Sequence, residues 1–126
     1  MVMSLGFSSS SMHQQKQALA KQRYNEIYAH ELKHKNAAGS FGGSIVIEKD
    51  ANGIPTGGHV DILMPVLDKN NPDKTIKHAD TVIKAAMAPH DPSSQDYKVA
   101  AEAKSIKAEA QRCSKQGCGQ NLNVVV

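Results

Sequence analysis

No tryptophan occurs among the 126 residues, and only two phenylalanines and three tyrosines do. A core built from this chain must rely on alanine, valine, isoleucine, leucine and methionine, and it will be thin. Cysteine is scarce too. Cys113 and Cys118 both fall in the last stretch, among glycine, glutamine and asparagine. Two cysteines define neither a disulfide framework nor a zinc site. They read as two thiols in a C-terminal tail, with a local disulfide or a second metal site as the alternatives. Long apolar runs are missing: nothing approaches the roughly 20 residues of a membrane span. The Ser-rich stretch Met1 to Met12 has no basic region followed by an apolar core, so it carries no secretory signal pattern. A cytoplasmic protein with no membrane partner is the expectation. Strong charge is also lacking. Fifteen Lys and Arg stand against 12 Asp and Glu, a net charge of +3. The lysines are scattered, so no nucleic-acid partner is expected.

What the chain does have is His30-Glu31-Leu32-Lys33-His34, an H-E-x-x-H pattern. On a helix, residues four apart sit one turn above each other on one face. Two imidazoles so placed can hold one Zn²⁺, and the glutamate beside the first can take a proton from its water. The surroundings favour a helix. Ser8 to Ser11 offer caps, Gln14 to Ala38 contains no Pro or Gly, and Gly39 supplies a stop. Leu19, Arg23, Ile27, His30 and His34 follow helical spacing, which predicts a partly apolar stripe facing inward. The other reading of the motif is a solvated, charged helix face.

Beyond Gly39 the chain reads as α+β: a small, mostly helical domain with the long N-terminal H-E-x-x-H helix, one β-hairpin and two C-terminal helices. Ser44 to Glu48 and Gly58 to Met64 are strand-like, joined by the turn residues Asp50 to Gly53. Asn71-Pro72-Asp73 opens a helix through about Ala88. Asp91-Pro92-Ser93 repeats that signature, with Asp91 as cap, for a helix to about Arg112 carrying the stripe Val99, Ala103, Ile106 and Ala110. The expected division is a flexible terminus over 1–12, one domain over 13–112 and a tail over 113–126.

A zinc site that performs chemistry needs a third protein ligand and an open position. Candidates are His59, His78, His90, Asp61, Asp96 and Glu102. His59 is preferred because it follows Gly57-Gly58, where a bare backbone permits close approach. Regular strand alternation would turn it away from Val60 and Ile62, unless the glycines form a bulge. His90, in a loop, is the runner-up. His78 reads as solvated and His13 as inert.

Several blocks together resemble a known family. They are Tyr28-Ala29-His30-Glu31 through His34, Ala37-Ala38-Gly39, Gly57-Gly58-x-Val60-Asp61, and Ala85 to Asp96 with Val99-Ala100-Ala101. Over about Ile27 to Ala103 the chain is similar to the SprA-related family of bacterial proteins assigned as zinc metallopeptidases. The resemblance implies a Zn²⁺ cofactor held by His30 and His34, Glu31 as the base, and a peptide or protein substrate. The family pattern usually has glutamate after the double glycine, where this chain has His59. Both residue types serve as zinc ligands. Asp96 is explained by the helix dipole, or by an outer contact to a ligating histidine. Tyr28 or Tyr97 could supply an oxyanion donor. The chain is short for a long cleft, so a homo-oligomer or a protein partner could complete it. The alternative functions are a zinc-binding or interaction module without turnover, and a metal-free helical adaptor.

Overall fold

The computed structural model describes residues 9–118. The chain runs α1 (Ser9–Ala38), a 3₁₀ turn (Gly39–Phe41), β1 (Gly42–Lys49), β2 (Pro55–Ile62), α2 (Pro72–Ala86) and α3 (Ser94–Gln116). This is the expected α+β order of a long helix, one hairpin and two helices.

Helix α1 starts at Ser9, inside the stretch expected to be flexible, because nothing before Gly39 interrupts it. The rest of that stretch, 1–8, and the tail residues 119–126 lie outside the described residues. Gly39 ends the helix at φ 57°, a left-handed conformation that favours glycine. Only the second half of α1 faces inward. Glu31, His34 and Ala38 are buried and Ile27 is half-buried, whereas Leu19 and Arg23 are exposed. The inward stripe expected to begin at Leu19 therefore begins at Ile27, where the hairpin first covers the helix.

The hairpin is antiparallel, with Ile45 opposite Val60, Val46 opposite His59 and Ile47 opposite Gly58. Its turn is set by Asp50, whose Oδ1 accepts the backbone N–H of Asn52 and of Ile54. Gly53 provides the positive φ of 79°. Gly58 is where the hairpin meets α1. A Cβ there would lie 2.7 Å from Ile27 Cγ2, 2.9 Å from the Val46 carbonyl oxygen and 3.2 Å from Glu31 Cγ. Only glycine allows β2 to approach α1 this closely.

Helix α2 begins as its sequence signature requires, with Asn71 accepting the Lys74 N–H and Pro72 in the first turn. Helix α3 begins one step later than expected. Ser93, not Asp91, is its cap: Ser93 Oγ accepts the Asp96 N–H, and Asp96 Oδ2 accepts the Ser93 N–H. This reciprocal pair satisfies two otherwise free backbone donors. The helix runs to Gln116, so Cys113 is helical, and it pairs with Cys118 as a disulfide.

The core sits where α2 packs on α3 and on the inward half of α1. Ala38, Ala79, Val82, Ala85, Ala100, Ala103 and Ala110 fill it. Val82 is the largest fully buried side chain there, and Pro55, at the start of β2, is fully buried too. Small residues let the helix backbones come close, which is how a chain with few aromatics achieves burial. The Lys107–Asp80 ion pair at 2.7 Å ties α3 to α2 at the surface. His78, expected to be solvated, is instead half-buried. Its ring stacks on Phe41 at 3.7 Å between centroids, and Nε2 donates to the Leu63 carbonyl at 2.7 Å. That clasp holds the segment between β2 and α2 against the 3₁₀ turn.

Candidate metal centre

The inward half of α1 carries His30, Glu31 and His34 to the start of α3. His34 is 4% exposed and Glu31 7%, values that are costly for polar side chains without partners. His34 has one clear partner. Its Nδ1 lies 2.7 Å from the Ala85 carbonyl oxygen at the end of α2. A carbonyl only accepts, so Nδ1 carries the proton, and in the neutral ring Nε2 is then a bare acceptor.

That acceptor faces a second imidazole nitrogen and a carboxylate oxygen. His34 Nε2 is 3.3 Å from His30 Nε2 and 3.2 Å from Asp96 Oδ2, and His30 Nε2 is 3.4 Å from the same oxygen. Two imidazole nitrogens and a carboxylate oxygen therefore converge at 3.2–3.4 Å. Two acceptors repel at that distance unless a proton or a cation lies between them. A tetrahedral ion bound at about 2.0–2.1 Å holds its donors about 3.3–3.4 Å apart, so this triangle fits one face of such a site. The chemistry of the donor set, two imidazoles and a carboxylate, also suits a divalent ion.

Each corner is held by its own element. One helical turn sets the two histidines on one face of α1. The capping box of α3 orients the carboxylate of Asp96. Asp91 Oδ1 approaches the far ring nitrogen of His30 at 3.6 Å from an exposed position. Glu31 stands beside the triangle, with Oε2 4.0 Å from His30 Nε2. His30, Glu31 and His34 form a group that could hold a metal ion. Burial pushes the Glu31 carboxyl above the usual glutamate range, against the opposing pull of His34, His30 and His59.

The group opens into a cleft of about 760 Å³. Its walls are α1 from Glu26 to His34, β2 from Gly57 to Ile62, and the first turns of α3. His59 lines this cleft but is exposed, and it does not belong to the His30–Glu31–His34 group. The physical reason is strand alternation. Gly58 points at α1, so His59 points to the other side, and the register irregularities fall elsewhere, between Gly42 and Ile45 and between Glu48 and Lys49. Asp96, read as a dipole partner or outer contact, stands at donor distance. Its place in a capping box was the available signal, because such a box pins a carboxylate. His90 is exposed and does not line the cleft, nor do Tyr28 and Tyr97. The Ala85 carbonyl could not be anticipated, since it depends on how α2 crosses α1.

Fold and site together define a class: a small α+β domain with a candidate metal-binding His-Glu-x-x-His helix against a hairpin. The SprA-related family model matches residues 8–116, and the chain belongs to that family. No curated protein and no solved structure matches it. No helix among the described residues is long and apolar enough to cross a membrane.

Proposed function

We propose that the protein is a zinc-dependent peptidase in which His30, His34 and Asp96 hold the ion and Glu31 is the general base. The observation that carries this reading is the convergence of two imidazole nitrogens and a carboxylate oxygen at tetrahedral spacing, with a buried carboxylate beside them and an open cleft in front. A divalent ion in such a site polarises a carbonyl and makes water more acidic. The residues have separate tasks. The Ala85 carbonyl keeps His34 in the tautomer whose Nε2 is free. Ser93 keeps the Asp96 carboxylate turned toward the histidines. Glu31 Oε2 takes one proton from the attacking water and returns it to the leaving amine, so the peptide bond breaks to a carboxyl and an amine. His59 stands on the cleft wall beside this group.

One observation favours a second reading, a metal-stabilised module without turnover. No tyrosine lines the cleft among the described residues, so neither Tyr28 nor Tyr97 supplies an oxyanion phenol there, and Ser93, Gln95 and His59 are the neutral polar side chains left for that role. The Glu31→Gln variant separates the two readings. On the peptidase reading it keeps zinc and loses all hydrolysis of a peptide library. Equal hydrolysis by the variant, or none by the native protein, refutes that reading.

A further inference from the structure

The charge of the cleft does not follow the charge of the chain. Overall, cationic side chains outnumber acidic ones by 15 to 12. The cleft is lined by Glu26, Glu31, Asp61, Asp96 and Glu102 and, among the described residues, by no lysine or arginine. Glu31 and Asp96 belong to the centre. Glu26 on α1, Asp61 on β2 and Glu102 on α3 are left, one on each wall, and all are exposed. Nothing in the centre requires them. Three walls of one sign focus a negative potential into the groove.

The second observation is the way β2 borders the cleft. Six consecutive residues, Gly57 to Ile62, line it, and none from β1 does. Side chains of both faces of a strand reach one cavity only when the edge of the strand borders it. Among the described residues the sheet has two strands, so β2 is paired on one side by β1 and its other edge has no strand partner. An unpaired edge presents backbone donors and acceptors that an extended chain can match. The glycine pair at 57 and 58 keeps that edge low beside Glu31. Half-buried Ile27, Val60 and Val99 add apolar wall.

We propose that the cleft binds an extended peptide segment carrying lysine or arginine side chains, laid along the free edge of β2 as a third strand. Glu26, Asp61 and Glu102 select the cations, and the strand edge selects an unfolded backbone. The inference deepens the peptidase reading and rests on it only for what happens to the peptide once bound.

The test measures binding with hydrolysis removed. Full-length, zinc-loaded Glu31→Gln protein is titrated with fluorescein-labelled Ala/Ser nonapeptides bearing three Lys, three Gln or three Glu, and anisotropy is read. Exposed charge pairs each contribute a few-fold, so the Lys peptide should bind about tenfold tighter than the Gln peptide, with the Glu peptide weakest. Raising the salt should shrink the difference. In a background also carrying Glu26→Gln, Asp61→Asn and Glu102→Gln, the Lys-to-Gln ratio should fall toward one. N-methylation of alternate backbone amides of the Lys peptide should weaken binding. Equal affinity for the Lys and Gln peptides, a ratio unmoved by the three replacements, indifference to N-methylation, or no binding of any peptide would each overturn the proposal. The native enzyme tells the two failures apart. Cation preference in the variant without hydrolysis by the native protein defeats the peptidase reading alone. Hydrolysis without cation preference defeats this inference alone.

Discussion

Replacing Asp96 by Asn tests the centre most sharply, because the carboxylate has two tasks that this change separates. The amide oxygen still accepts the Ser93 N–H, so the capping box largely survives. The negative charge at 3.2–3.4 Å from both histidine nitrogens does not. Groups one shell outside a metal typically carry 10- to 100-fold in affinity, so a direct ligand should carry at least about 100-fold. Linkage turns this into a melting shift. At free zinc about 100 times the native dissociation constant, the native protein gains about 2.7 kcal/mol. A variant with 100-fold weaker binding gains only about 0.4 kcal/mol under the same conditions. The difference of about 2.3 kcal/mol corresponds to roughly 7–12 °C for a domain of this size. Competition against a chromophoric chelator gives the affinity, and thermal melts with and without zinc give the shift. The metal-free proteins should melt within about 2 °C of each other, since a surviving cap contact leaves little to lose. Zinc affinity within threefold of native in Asp96→Asn, alongside its loss in His59→Ala, would refute the reasoning and return the third ligand to the hairpin.

Other outcomes follow from the same geometry. Gly58→Ala places a methyl group 2.9 Å from the Val46 carbonyl oxygen, which no rotamer change relieves, and 3.2 Å from Glu31 Cγ. It should cost about 1–3 kcal/mol in denaturant unfolding and, on the peptidase reading, reduce hydrolysis by moving Glu31. Ser93→Ala removes the hydroxyl that accepts the Asp96 N–H but keeps the residue-93 N–H that holds the carboxylate, so chemical unfolding should show a loss of about 1 kcal/mol while chelator competition finds a site within a few-fold of native. In the metal-free protein, burial raises the Glu31 carboxyl above its unfolded value. The stability it contributes is therefore present below the unfolded pKa and lost as pH rises through the raised folded value. Metal-free Glu31→Gln should melt above the native protein at neutral pH, and the two curves should converge near pH 4 or below, where the unfolded carboxyl is protonated. Melts across pH check this, and a native advantage at neutral pH would contradict it.

Local features were legible before any folding was considered. The helix carrying His30, Glu31 and His34, the Asp50–Gly53 turn and the Asn71–Pro72 start all depend on residues within a turn of each other, and all were readable on that basis. Errors arose where two local signals competed or where packing chose. Asp91 and Ser93 both suit a cap, and Ser93 prevailed because Asp96 returns its hydrogen bond. Leu19 and Arg23 share the spacing of the histidines, but no element covers that part of α1. His59 looked placed to reach the metal because Gly57 and Gly58 permit close approach. They do, but Gly58 takes the inward position and alternation turns His59 outward.

Sequence by itself determined the element order, the family and two corners of the centre, because one helical turn brings His30 and His34 together whatever the rest of the chain does. Tertiary structure decided the third corner, the tautomer and the cleft. Asp96, the Ala85 carbonyl and the free edge of β2 come from separate elements. Their meeting depends on how α2 packs on α1 and α3 on α2, and the small buried residues there, mostly alanine, leave no periodic mark distinguishing one packing from another.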